Sequence, residues 1–358
     1  MSKVFAFLLF ILAPILVLTQ ITKEYSESLD LGNYVHYDHE FERVALVPLD
    51  QNIEDFNEDL RLLSIKMTDI ETVMTYYEQV FSSYTQVIDS SIQSSKDQKF
   101  LSDDIYEQRI TNALGEPIDF YLSNNSEIKV FELKELGYRG YIAKVKLFNP
   151  TTFKVSLAED ALGKLETTSD AGSRTGAILA VNGGGFGAGR VDDEVVSTMV
   201  GATVVNGELI NNFERREEDL FFVGIDYRGD LVGGIPESEQ DIINMRPYQG
   251  VSFIPILIKD GVKMTLPGAW KNTKHPRTII GQYANDDLIL IVVDGRQGDW
   301  SAGITLERLQ DKLLELGVKD AYNLDGGGST AMYFKGQLLN KPSDGQERPV
   351  ANNLIVLP

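Results

Sequence analysis

The chain has 358 residues, long enough to bury a sizeable core and to carry accessory segments, so two or three units are expected. Its 33 basic side chains stand against 53 acidic ones, and the resulting net charge of −20 repels nucleic acid and argues against a nucleic-acid-binding role. Cysteine is absent, which excludes a disulfide framework, a thiol nucleophile and a thiolate metal site.

The chain opens with MSKVFAFLLFILAPILVLTQ, in which Lys3 precedes an apolar stretch from Val4 to Leu18. This pattern is an export signal. No small-x-small cleavage site precedes Lys23, and Thr19, Gln20 and Ile21 extend the span, so residues 1–22 read as an uncleaved signal anchor, with a cleaved signal peptide as the alternative. The positive-inside bias places the rest of the chain on the extracytoplasmic side, membrane-anchored or secreted.

Next come Ile53, Phe56, Leu60, Leu63, Met67, Ile70, Met74, Tyr77, Phe81, Tyr84 and Ile88, at alternating spacings of three and four. That is a heptad seam, and residues 50–95 are expected to form a coiled-coil-like helix, its seam alone on the order of 50 Å long. The apolar stripe needs a partner, either a second copy of the chain or another part of the same one. The polar stretch DSSIQSSKDQ (Asp89 to Gln98) reads as a linker.

From Tyr106 to the end, residues 106–358, the texture changes to short β-branched runs punctuated by turn glycines. ATVVNGELI, with Asn206-Gly207 suited to a type I′ turn, is one hairpin candidate; VGIDYRGDLVG, PILIKDGVKM, RTIIGQYANDDLILIVVD and AMYFKGQLLN are others. A helix is expected from an N-cap at Thr305, burying Leu306, Leu309, Leu313 and Leu316 and stopping at Gly317, and a shorter one before AILAV. The fold class is therefore α+β: a mixed, largely antiparallel sheet domain with few helices, preceded by the long helix.

Two stretches share an unusual form. AVNGGGF (Ala180 to Phe186) and NLDGGGST (Asn323 to Thr330) each end an apolar run in a polar side chain followed by three glycines. Either could be a tight turn, or a nest whose bare N–H groups hold anionic oxygens. Strand-end polar groups accompany them: Arg277 in HPRTIIGQ, Asp294 and Arg296 in VVDGRQGDWSAGITL, and Glu347 and Arg348 in GQERPVANN. Lys259, Lys263, Lys271, Lys274 and Arg277 form a basic island against Asp260, to which an anionic ligand would be steered. Four strand-end clusters at one sheet edge are a common way to build an active site.

AVNGGGF, RTIIG, VVDGRQ, NLDGGGST and RPVANN, in this order, resemble the phosphodiester glycosidase family, and the likeness runs from about Ile142 to Pro358. The resemblance implies hydrolysis of a sugar-1-phosphodiester, releasing the sugar from its phosphate-linked partner. Departures fall in the first motif, which lacks the aromatic frequent before its last Phe, and at Trp300, where tyrosine is common; both bear on sugar choice. The residue types suit such a reaction. Arg277 and Arg296 are assigned to the phosphodiester, with Arg348 beside them and the N–H groups of Gly184, Gly185, Gly327 and Gly328 as further anion donors. Asn182 and Ser329 would position hydroxyls or water. Asp294 and Asp325 are candidates for nucleophile or general base, Glu347 is a reserve proton donor, and retention or inversion is left open. Trp300 and Trp270 are candidates to stack on sugar, and His275 reads as a structural neighbour of Pro276. No cofactor is required; a divalent cation on Asp294, Asp325 and Asn182 stays open, whereas three histidines in the chain argue against zinc. The rival reading is a non-catalytic, envelope-organising protein that binds glycan phosphate at the cell surface.

Overall fold

The structure, a computed structural model, describes residues 49–191, 194–211, 213 and 220–358. The expected export signal lies outside the described residues, among which no helix is long and apolar enough to cross a membrane. The chain divides into two compact units, Met1–Val87 and Ile88–Pro358.

Helix α1 spans Leu49–Leu114. It contains neither glycine nor proline and stops at Gly115, whose φ of 87° is the left-handed conformation that ends a helix. The expected linker Asp89–Gln98 is helical, because Ser, Asp and Gln lower helix propensity by only tenths of a kcal/mol, about 0.5 each, and nothing there breaks the chain. In the first unit the heptad positions from Phe56 to Tyr84 are all exposed, Phe56 and Phe81 at 64%.

The second unit is built from strands joined mostly by hairpins. In chain order they are β1 Asp119–Leu122, β2 Ser126–Glu135, β3 Tyr138–Leu147, β4 Phe153–Leu157, β5 Leu179–Asn182, β6 Phe186–Val191, β7 Glu194–Met199, β8 Val204–Val205, β9 Glu208–Leu209 and β10 Phe221–Ile225. There follow β11 Leu231–Gly234, β12 Gln249–Phe253, β13 Ile256–Lys259, β14 Val262–Lys263, β15 Arg277–Gln282, β16 Leu288–Val293, β17 Asp320–Leu324, β18 Met332–Phe334, β19 Gln337–Leu338 and β20 Asn352–Val356. Short helices α2 (Thr168–Thr175), α3 (Glu239–Asn244), α4 (Gly268–Lys271) and α5 (Leu306–Glu315) interrupt them. The α+β expectation holds, and every ladder among the described residues is antiparallel. The five expected hairpins form, and Asn206 and Gly207 (φ 54° and 86°) take the positive angles of a type I′ turn.

The largest sheet has the order β1-β2-β3-β16-β15-β17-β13-β14. Because side chains alternate across a strand, it has two apolar faces. One face, with Val130, Val145, Ile280, Leu290 and Leu324, packs on the sheets β19-β18-β5-β20-β4 and β11-β10-β12-β8-β9 through Phe153, Val181, Phe221 and Leu354. The other, with Phe131, Ile142, Ile279, Ile291 and Ala321, is covered by Leu306, Leu309, Leu313 and Leu316 at α5 and by Ile110 of α1. Thr305 caps α5 by accepting from the Arg308 N–H, and Gly317 (φ 83°) ends it, as the sequence predicts.

The C-terminal turns of α1 are part of this unit. Ile110 is fully buried, and the Arg109 guanidinium donates to the carbonyls of Glu315 and Leu314 at the end of α5 (2.8 and 2.9 Å). Lys144, buried on β3, is held by Asp287 at 2.6 Å and Glu107 at 3.3 Å, while Asp103 pairs with Lys146 and accepts from Asn285. Removing residues 88–114 deletes a buried isoleucine, worth about 2–5 kcal/mol, and strips carboxylates from a buried lysine. At roughly 2–4 °C per kcal/mol, a chain of residues 115–358 should melt on the order of 10 °C below residues 88–358 or fail to fold. Equal melting temperatures by calorimetry would show that the segment contributes nothing.

Candidate active site

The two triglycine stretches meet at the ends of β5 and β17, but they do different work. Asn182, fully buried at the end of β5, donates its amide to the Asp325 carbonyl (2.6 Å) and accepts from the Thr278 hydroxyl (2.7 Å) and the Ala331 N–H (3.2 Å). The Asp325 N–H returns a bond to the Gly183 carbonyl at 3.2 Å. Asn182 thus ties the two turns together through both its amide nitrogen and its oxygen.

The first glycines are close-packing positions. Gly184 N–H donates to Asn352 Oδ1 (2.9 Å) and Gly185 N–H to the Ser252 carbonyl (3.0 Å). A Cβ on Gly184 would lie 2.8 Å from the Ser252 carbonyl, and one on Gly185 2.6 Å from the Phe253 ring. Their expected role as anion donors is therefore not met: both N–H groups already serve backbone and side-chain acceptors.

The second turn is the one that faces charge. Gly327 adopts φ 62°, and a Cβ there would lie 3.2 Å from the Arg296 guanidinium; one on Gly328 would strike the Arg348 guanidinium and the Asp344 carboxylate. Arginines 296 and 348 thus flank the glycines, which leave the room that side chains would fill. Gly327 N–H is committed to the Pro276 carbonyl (3.0 Å), which leaves Gly328 as the one N–H of the four expected donors without an acceptor among the described residues. Arg296 itself sits at φ 62°, a left-handed angle costly for a residue with a Cβ and typical of functional sites.

Asp325 stands at the base of this turn, partly buried. Burial raises its carboxyl above the ordinary carboxylate range, opposed by Ser329, the Gly326 N–H (2.9 Å) and the attraction of Arg348. Ser329 lies close enough to lower that pKa, yet its buried Oγ lacks a partner of full hydrogen-bond geometry. Arg277 is 3% exposed, gives one N–H to the Thr273 carbonyl (3.1 Å), lies 6.0 Å from the Trp270 ring centre and leaves Nε without an acceptor. Burial, with Arg296 nearby, lowers it to about 10. His275, set aside in the sequence, lies with Nδ1 3.3 Å from Arg296. Burial and then the charges of Arg277 and Arg296 push its pKa down, so at neutral pH the ring is uncharged and its Nδ1 accepts from Arg296.

Three expected site residues are engaged elsewhere. Asp294 is 1% exposed and accepts from Trp300 Nε1 (2.7 Å), Asn340 Nδ2 (3.0 Å) and the Lys341 N–H (3.0 Å). Burial raises its pKa while these donors oppose the rise, and the carboxylate serves as a tie between two loops. Glu347 accepts from the Ser169 N–H (3.0 Å) in the first turn of α2. Trp300 carries Arg139 and Lys341 over its ring, which competes with stacking on a sugar. Asn182, whose oxygen already accepts two hydrogen bonds, does not join Asp294 and Asp325 as a cation ligand, and no group of three His, Asp or Glu side chains placed to hold a metal ion forms among the described residues. The basic island also shrinks on folding: Lys259 pairs with Asp320, Lys263 with Asp311 and Lys271 with Glu307.

A family profile described as phosphodiester glycosidase matches residues 175–357, just over half of the chain. The chain belongs to the phosphodiester glycosidase family. An uncharacterized SPbeta prophage-derived protein of Bacillus subtilis is 32% identical over 53% of this chain and 29% of its own length. N-acetylglucosamine-1-phosphodiester alpha-N-acetylglucosaminidase of Bos taurus is 27% identical over 50% of this chain and 35% of its own length. The chain thus spans about a third of the curated relatives it matches. Among solved structures, the pro-peptide-inhibited catalytic domain of the zebrafish enzyme of that name shares the fold, with a TM-score of 0.54 at 23% identity over 66% of this chain and 84% of that one.

In this member of the family the supporting residues Thr278, Asn340, Asp344 and Asn352 are those the sequence did not single out. Asn352 lies inside the motif RPVANN, but its bond to Gly184 joins positions 168 apart. Asp294→Asn would set an amide donor against the donors of Trp300, Asn340 and Lys341. We expect a loss of about 1–3 kcal/mol and a melting temperature several degrees lower. Unchanged melting would mean that the Asp294 carboxylate is not a structural tie.

Proposed function

We propose that the site hydrolyses the glycosidic bond of a sugar-1-phosphodiester on the extracytoplasmic side of the membrane, on a surface polysaccharide or glycoconjugate. One observation carries this reading: Arg277 is a buried guanidinium with no carboxylate partner among the described residues and an unsatisfied Nε. A buried, unpaired cation costs several kcal/mol, on the order of 3–5, unless a ligand supplies the counter-charge. With Arg296 nearby and Arg348 at the adjoining glycine turn, the counter-charge of best fit is a phosphodiester, whose oxygens match guanidinium forks.

The chemistry follows from charge. Water attacks the anomeric carbon, the bond from that carbon to the phosphate oxygen breaks, and the other product leaves as a phosphomonoester. That group gains a negative charge as it departs, so the arginines hold it more tightly in the transition state than in the substrate. A phosphate leaves without first being protonated, so one carboxylate suffices. Asp325, ionised, takes the proton from water, and Ser329 and the Gly328 N–H orient the reacting groups. Asp294 and Glu347 support this site from their structural positions. The apolar N-terminal segment supports the extracytoplasmic placement.

Because the base must be ionised and its pKa is raised, kcat/KM on a sugar-1-phosphodiester should fall as pH drops through a value above the usual carboxylate range of about 4. Asp325→Asn should lose on the order of 10² or more in turnover and the acid limb with it, while binding survives. Near-normal turnover in this variant would overturn the assignment, and binding without hydrolysis in the unaltered protein would favour a glycan-phosphate-binding protein.

The exposed heptad stripe of α1 is proposed to pair with a second copy of the chain, since a continuous apolar seam is stable only when covered. Light scattering should give residues 24–358 a multiple of the monomer mass and residues 88–358 a single one. Monomer masses for both would remove the self-association.

A further inference from the structure

Two cations lie over one indole beside the proposed clamp. Lys341 Nζ is 3.7 Å from the centre of the Trp300 ring, and the Arg139 guanidinium carbon is 4.5 Å from it. Neither cation has a carboxylate partner among the described residues, although Asp299 adjoins Trp300 in the chain. The residue facing Arg139 across the ladder is Lys134, itself paired with Glu132. Asp294, bonded to Trp300 Nε1 and within reach of the Lys341 charge, offsets the pair only in part, so the cluster keeps a net positive charge.

The position of the pair follows from two loops. The segment after β16 carries Arg296 and then Trp300; the segment after β19 carries Lys341 and then Arg348. Asp294 joins them by accepting from Trp300 Nε1 and from the Lys341 N–H, and Gln297 joins them again by donating to the carbonyls of Lys341 (3.2 Å) and Pro342 (2.9 Å). Each loop therefore supplies one residue to the arginine clamp and one to the indole cluster. Indole attraction holds the two cations in place, and the Asp294 carboxylate at the indole edge offsets their charge only in part.

We propose that Arg139, Trp300 and Lys341 form a second anion subsite that takes a phosphodiester next along from the scissile one, so that the substrate is a polymer of consecutive phosphodiesters. This rests on the glycosidase reading of the neighbouring clamp. A second contact on the same chain converts a further binding event into an intramolecular one, and its strength falls with salt.

Calorimetric titration tests it directly, with bis(glycerol) phosphate as a single diester and a three-unit glycerol phosphate oligomer as the chain. The unaltered protein should bind the oligomer about tenfold more tightly than the single diester. Lys341→Gln and Arg139→Gln should each remove most of that ratio while keeping single-diester affinity within about twofold and the melting temperature unchanged. An oligomer bound no more tightly than the single diester, or a ratio that survives in both variants, would overturn the subsite. An oligogalacturonate of equal charge binding as tightly as the oligomer would overturn its assignment to phosphodiester. Since the readout is binding, an absence of hydrolysis sinks only the glycosidase reading, whereas hydrolysis without a chain-length preference sinks only the subsite.

Discussion

The Asn182 side chain is the constraint on which the site depends. It sits at the end of a strand in one sheet, reaches the Asp325 carbonyl and the Thr278 hydroxyl of the opposing sheet, and receives the Ala331 N–H that begins the next strand. A buried amide earns its place only when its donors and acceptors are satisfied, and here that requires both sheets in register. The same requirement fixes where Asp325 emerges and which way the glycine turn faces. Apolar packing brings the two sheets together to within a range of offsets; this bond set selects one.

Around that fixed point the charges divide by role. Asp294 gives its oxygens to an indole, an amide and a backbone N–H, so it organises loops. Asp325 is held more lightly, with burial opposing its ionisation and Arg348 favouring it, the balance expected of a group that exchanges a proton. The arginines are asymmetric in the same way. Arg296 leans on an uncharged His275 and Arg348 on Asp344, whereas Arg277 is buried without a counter-ion among the described residues. An acidic protein can nevertheless attract an anion at a site where folding has left cations unpaired.

The paired triglycine motifs show how alike sequences take unlike tasks. Gly184 and Gly185 are small because Ser252 and Phe253 press against their α-carbons, and their N–H groups are spent on that contact. Gly327 and Gly328 are small because guanidinium groups and a carboxylate occupy the space beside them. One motif is a seam between sheets and the other is the floor of a charged site, and no property of a three-glycine run separates the two.

What the sequence determined by itself was local. The type I′ turn at Asn206-Gly207, the capped helix from Thr305 to Gly317, the hairpin order and the antiparallel α+β class all rest on residues a few positions apart, where turn angles and side-chain periodicity act directly. The order of the motifs carried the family. Tertiary structure decided which polar groups were left free. Glu347 is taken by Ser169, Lys259 by Asp320, and Asp294 by Asn340 and Lys341. Each of those outcomes depends on a partner tens to hundreds of residues away, and a hydrogen bond or ion pair is settled by which groups the fold brings within about 3 Å of one another.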